Sequence, residues 1–267
     1  MKDFAFHRPT TVKDAVALVR DREGAKFLAG GQSFLPVLKL ELAEPSDVVS
    51  LAQLKELRDI RVDGDKLLIG ALVSHDQVHR SPEVMRAIPA LATLAGGIGD
   101  AQVRNRGTLG GSVAHADPAA DYPAALVGLG ATVITDRRSI AAEDFFTGLF
   151  ATALEHGELV TAVAFPIPRR AAYAKFAHRA SKYALVGVMI ADTPAGLRVA
   201  VTGAAAKVFR VPGYEAALGK QLAAKALDGV ALPAIELNSD AEASADYRAH
   251  LIGVMAKRAV EALAGRS

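Results

Sequence analysis

No cysteine occurs among the 267 residues. That excludes disulfides, thiolate metal sites, iron–sulfur ligation by cysteine and a cysteine nucleophile. Tryptophan is absent as well, so no ligand stacks on an indole. Neither sign of charge is in excess: 31 Lys+Arg against 29 Asp+Glu leave a net charge of +2, which argues against nucleic acid as a partner. Long apolar runs are missing too. The longest, at 124–131 and 184–191, fall far short of a membrane span. The opening MKDFAFHRPT lacks a signal-peptide core. The reading is a soluble, cytoplasmic protein without a transmembrane segment. What is present, 51% hydrophobic and 22% charged residues, suits one large or two modest folded domains.

Patterning divides the chain into three regions. The first, 1–54, reads as a small α/β unit. Thr11 caps a helix with Ala15, Leu18 and Val19 on one face, and 26–29 is a strand stopped at Gly30-Gly31. A short helix over 34–42 and a strand at 48–51 complete it. The second, 55–169, opens with a hairpin turning at Asp63-Gly64. Helices over 74–79 and 82–96, a glycine-rich loop over 96–111, a helix at 124–130 and strands at 131–134 and 159–165 follow. The third, 170–267, has strands at 173–178, 187–191 and 197–202, then helices over 215–227 and 244–263. In the last helix Tyr247, Leu251, Val254, Met255 and Ala259 fall on one face, which reads as core.

Two glycine pairs carry the chemistry. Ala29-Gly30-Gly31-Gln32-Ser33 follows a strand, and Thr108-Leu109-Gly110-Gly111-Ser112 comes about eighty residues later. Paired glycines turn sharply and leave N–H groups open to phosphate oxygens. Two such segments suit the two phosphates of one dinucleotide. A β-branched side chain at Gly31 or Gly110 is then expected to abolish binding without unfolding the chain. No P-loop is present, and Gly97-Ile98-Gly99 meets Gln102 where a third glycine would complete a Rossmann fingerprint. No G-x-S-x-G elbow occurs. His75 and His79 lack a third metal ligand and read as surface residues. His115, Asp117 and Asp121 read as a shaped loop wall, with Asp121 placed to accept from a ribose hydroxyl.

These segments resemble the FAD-binding medium subunit of molybdenum hydroxylases, the flavoprotein of the aerobic carbon monoxide dehydrogenase and xanthine dehydrogenase type. The motifs are AGGQS at 29–33, IGDAQVRNRGTLGGSVAHADPAAD at 98–121, KFAHRASKYALVGV at 175–188 and SADYRAHL at 244–251. They stand in family order. The resemblance implies an α+β chain: a two-lobed FAD-binding fold, built from a small α/β N-terminal lobe and a middle lobe with an antiparallel sheet. A C-terminal lobe of antiparallel strands and helices follows. It implies noncovalent FAD held by Ala29, Gly30, Gly31, Gln32, Ser33, Thr108, Gly110, Gly111 and Ser112. It places Asp121, Val160 and Lys175 as further contacts and Tyr183 as an aromatic ring over the flavin. Gln32, Leu109 and Ser112 stand where the carbon monoxide enzymes carry His, Ile and Asn, and none of these changes breaks the loop. Molybdopterin and 2Fe–2S clusters are implied only on partners, a large molybdopterin subunit and a small iron–sulfur subunit, in a dimer of heterotrimers. This chain would then pass electrons to an external acceptor. The alternative is a self-sufficient flavin-dependent oxidase or reductase with a related FAD fold.

Overall fold

The computed structural model describes residues 2–264. The N-terminal region holds β1 (Ala5–His7), α1 (Val12–Arg20), β2 (Lys26–Leu28), α2 (Phe34–Lys39) and β3 (Asp47–Ser50). The strands form a parallel sheet in the order β1-β3-β2. Thr11 caps α1 by accepting from the Asp14 N–H, and Ala15, Val16 and Val19 bury against the sheet. β1, three residues with two exposed, carries no readable pattern and was not anticipated.

The hairpin strands β4 (Ile60–Asp63) and β5 (Lys66–Gly70) begin the middle region. Six helices follow: α3 (His75–Arg80), α4 (Pro82–Ala87), α5 (Pro89–Gly96), α6 (Ala101–Arg106), α7 (Leu109–His115) and α8 (Tyr122–Leu129). Strands β6 (Thr132–Thr135) and β7 (Ser139–Ala141), the turn α9 (Ala142–Phe145), and strands β8 (Phe146–Gly148), β9 (Ala151–Thr152) and β10 (Val160–Pro166) complete it. The main sheet is antiparallel throughout, in the order β4-β5-β10-β6-β7. The stretch 96–111, anticipated as a loop, is mostly helical. Asp100 caps α6 and Thr108 caps α7, and such caps outweigh the weak helix propensity of glycine.

The remaining elements are β11 (Arg170–Ala177), β12 (Ala184–Thr193), β13 (Gly196–Thr202), β14 (Phe209–Arg210), α10 (Pro212–Lys220) and α11 (Ala245–Ala264). β12 is buried on both faces, which explains its unbroken apolar run. Val186, Val188 and Ile190 face α11, while Met189 and Ala191 join the middle core. There α8 packs so closely that a Cβ on Gly128 would lie 2.7 Å from Met189.

Two helix expectations need correction. The anticipated helix 215–227 ends at Lys220, because Gln221 turns extended before a separate 3-10 turn, Ala224–Leu227. On α11 the buried stripe keeps Leu251, Met255 and Ala259 but adds Ile252, Ala256, Val260 and Leu263. Tyr247 is 43% exposed, meeting the Phe176 ring edge-on. Arg248 is buried because its guanidinium donates to the Leu185 and Gly203 carbonyls and pairs with Asp240.

Candidate functional site

A cavity of about 790 Å³ lies where the N-terminal, middle and C-terminal regions meet. That is the size of pockets that enclose drug-sized ligands. Its walls include all of residues 29–33, then Thr108, Gly110, Gly111 and Ser112, with Asp121, Val160 and Tyr183.

The two glycine segments touch. A Cβ on Gly30 would lie 2.1 Å from the Arg106 carbonyl oxygen, and one on Gly111 would reach 3.7 Å from the Ala29 Cβ. Gly31 has φ +76°, so glycine suits the turn out of β2. The amides of Gly30, Gly31, Gln32 and Ser33 donate to no acceptor among the described residues. They stay free because β2 has ended and α2 makes its first backbone bond only from Leu35 to Gly31.

The second segment departs from expectation. Its amides are already used: Leu109 N–H donates to Val73, Gly110 N–H to Ala71, Gly111 N–H to the Thr108 hydroxyl and Ser112 N–H to the Thr108 carbonyl. Gly110 is needed for close packing on Ala71, not for an open amide. This segment therefore offers the cavity hydroxyl groups, from Thr108 and Ser112, while the first offers amides.

Asp121 lines the cavity and is paired there with Lys175. Lys175 is not among the cavity-lining residues. Its ammonium donates to the Gly97 and Lys182 carbonyls and pairs with Asp121 at 2.9 Å. The Asp121 carboxylate also accepts from the Tyr173 hydroxyl at 2.6 Å. Burial pushes the Asp121 carboxyl above its usual range, against the pull of Lys175 and Tyr173. Asp121 is part of the wall and Lys175 stands behind it, and their pair is tied to the loop that carries Tyr183 through the Lys182 carbonyl.

Tyr183 is 41% exposed at the cavity. Burial and Asp117 push its phenol up, while the Ser33 hydroxyl pulls it back. At another part of the wall, Glu158 is held by Arg138, the Glu155 N–H and the Thr135 hydroxyl. The Arg138 hydrogen bond foremost holds its carboxyl down at about 2. His156 of the same loop donates to the Val19 carbonyl, fastening it to the N-terminal region.

The sequence reading missed His75. It is buried, at 5% exposure, and lines the cavity, whereas a surface position was expected. Burial, with the Arg104 charge, lowers its pKa to about 4, so the ring is neutral at pH 7. His79 is half-buried and donates from Nδ1 to the Ala92 carbonyl. The signature Ser74-x-x-Gln77 is a capping box that fixes the start of α3. It locates His75 in the first turn, but only the tertiary fold buries it.

Among the described residues no three His, Asp or Glu side chains converge on a metal position, and no helix is long and apolar enough to cross a membrane. A cavity lined by residues with four free amides, by several hydroxyl-bearing side chains, Thr108 and Ser112 among them, and by a neutral imidazole fits a phosphate-bearing dinucleotide.

Comparison with known proteins names that ligand. Residues 2–168 match the FAD binding domain in molybdopterin dehydrogenase, and residues 171–263 match the CO dehydrogenase flavoprotein C-terminal domain. The nicotine 6-hydroxylase medium subunit of Paenarthrobacter nicotinovorans is 36% identical, the alignment covering 94% of each chain. The carbon monoxide dehydrogenase medium chain of Hydrogenophaga pseudoflava is 35% identical over 97% of this chain and 96% of that one. Among solved structures, a Cu,Mo-CO dehydrogenase superposes with TM-score 0.93 at 33% identity, covering 99% of this chain and 98% of that one. Quinoline 2-oxidoreductase from Pseudomonas putida 86 does so with TM-score 0.92 at 31% identity, over 100% and 99%. The α+β fold is thus that of a flavoprotein, and the chain belongs to the FAD-binding medium subunits of the molybdenum hydroxylases, as an oxidoreductase subunit.

Proposed function

We propose that this chain is the electron-transfer flavoprotein of a heteromeric molybdenum hydroxylase. It accepts electrons from the iron–sulfur clusters of a small partner subunit, and a large molybdopterin subunit oxidises the organic substrate. The flavin then delivers the electrons to an external acceptor. The three chains assemble as a dimer of heterotrimers in the cytoplasm. The lobes 1–54 and 55–169 clamp FAD, and 170–267 closes the site from the C-terminal side.

The observation that carries this reading is the row of free amides at Gly30–Ser33 in the same cavity lining as Thr108 and Ser112. Amides and hydroxyl groups donate to a diphosphate without needing an excess of cations. Ala29, Gly110, Gly111 and Val160 shape the wall around it. Tyr183 supplies the aromatic ring beside the isoalloxazine, and Asp121 with Lys175 holds the loop that carries it. FAD, when bound, supplies one- and two-electron exchange, while the protein binds and orients it. No side chain is assigned as acid or base.

Two measurements test the proposal. Substrate-dependent dye reduction is expected only when all three chains are combined. Turnover by this chain alone at the rate of the full set would favour the self-sufficient oxidase instead. The flavin is held noncovalently, so acid precipitation is expected to release all yellow colour into the supernatant. Colour left in the pellet would refute that.

A further inference from the structure

We propose that His75 is an additional cofactor-binding residue, donating a hydrogen bond from Nε2 to a phosphate oxygen of FAD. The inference rests on the reading that the cavity holds FAD with its diphosphate at the glycine segments.

The position of the ring is set by its surroundings. Its own backbone N–H donates to the Gly107 carbonyl at 3.0 Å, which fixes the start of α3 against the strand-like residues before α7. A Cβ on Gly107 would lie 2.6 Å from Nε2. The neighbouring Arg106 carbonyl is the group against which Gly30 packs. The imidazole therefore packs on the same Arg106–Gly107 backbone as Gly30 and lines the same cavity as the unpaired amides of Gly30–Ser33.

Neither ring nitrogen has a hydrogen-bond partner among the described residues. Nδ1 is wholly covered and unpaired. Nε2, beside Gly107, is the nitrogen left to the cavity that His75 lines. The neutral ring has one N–H to give. With the proton on Nε2 the ring has a donor that no acceptor among the described residues takes up, and an anionic oxygen in the cavity would accept it in a charge-assisted hydrogen bond. A purely structural role would rest on packing against the Tyr122 ring, 5.4 Å away, for which the nitrogens are not needed.

The full chain, freed of flavin, is titrated with FAD by fluorescence quenching and with ADP as a diphosphate probe lacking the flavin. His75→Phe keeps the ring and the Tyr122 contact. It is expected to raise the FAD dissociation constant about tenfold or more, the loss of a hydrogen bond to a charged acceptor, and to weaken ADP in parallel. His75→Gln carries an amide to the Nε2 position and is expected to stay within about threefold of wild type. His75→Asn reaches only the Nδ1 position and is expected to match His75→Phe. FAD affinity within twofold of wild type in His75→Phe overturns the proposal, as does a loss confined to FAD with ADP unaffected. If His75→Phe fails to fold, equal affinities in His75→Asn and His75→Gln overturn it instead. Gly31→Val, titrated alongside, separates the two levels. Binding lost there but kept in His75→Phe removes His75 alone, whereas binding kept in both removes the glycine-segment site.

Discussion

Gly110→Val is expected to fail as a folded protein, with or without FAD, and not merely to lose its cofactor. Gly110 is fully buried on α7. A Cβ there would lie 2.5 Å from the Ala71 Cβ and 2.8 Å from the Ala71 oxygen. That oxygen also accepts the Gly110 N–H at 2.9 Å. The obstacle is backbone, so no rotamer change relieves it. Overpacking costs about 1–3 kcal/mol and more where the backbone must move, and here it also pulls α7 from the end of β5. A loss of about 3 kcal/mol or more is a large share of the 5–15 kcal/mol that holds a typical domain. Gly31→Val should behave differently. Its Cβ would meet the movable Leu35 Cδ1 at 2.8 Å, and the residue keeps φ +76°, a strain of about 1–3 kcal/mol. That variant is expected to fold, with lowered stability, and to bind FAD poorly because the strained turn and the displaced Leu35 shift the free amides of residues 30–33. Far-UV circular dichroism and urea titration beside FAD titration check both. A stably folded Gly110→Val chain that only lacks FAD would restore the simpler view in which both glycines serve the ligand alone.

Those two glycines mark what the sequence made legible. Gly-Gly twice, with hydroxyl residues next to each, pointed to paired segments around one ligand, and both segments line one cavity. Their division of labour was hidden. Whether an amide is free depends on what stands opposite, and Ala71 and Val73 stand opposite the second segment for reasons of tertiary packing. The same holds for His75. Its capping box is local and readable, but its burial comes from Tyr122 and Gly107, distant in sequence. Regular elements with strong periodicity or turn chemistry, such as the Asp63-Gly64 hairpin and β12, were readable. The helices over 101–115 were not, because two caps, not apolar spacing, define them. On α11 the face was drawn slightly wrong, since a buried arginine replaced the expected tyrosine.

Lys175→Met is expected to destabilise the chain by about 3–5 kcal/mol at pH 7, the usual cost of stripping one partner from a buried ion pair. The methionine fills similar space but leaves the Asp121 carboxylate, 4% exposed, with only the Tyr173 hydroxyl as a side-chain donor. It also leaves the Gly97 and Lys182 carbonyls without the ammonium. The loss should depend on pH in a defined direction. Burial already raises the Asp121 pKa and Lys175 pulls it down, so removing Lys175 raises it further. A carboxyl whose folded pKa lies above its unfolded value binds its proton more tightly in the native state. Stability is then fully present below the unfolded pKa, about 3.9, and is lost as pH rises through the folded value. The deficit relative to wild type should therefore be largest near neutrality and shrink towards pH 4. Replacing Asp121 by Asn in the same chain removes the charge and should recover most of the loss and flatten the pH profile. Urea midpoints from pH 4 to 8 for wild type, single and double variants decide this. A deficit that does not change with pH, or a double variant no better than Lys175→Met, would show that the ammonium matters only as a tether for Lys182. That residue has φ +63° and precedes the cavity-lining Tyr183, so in that case the anchoring of this loop, not the buried charge, would bear the whole effect.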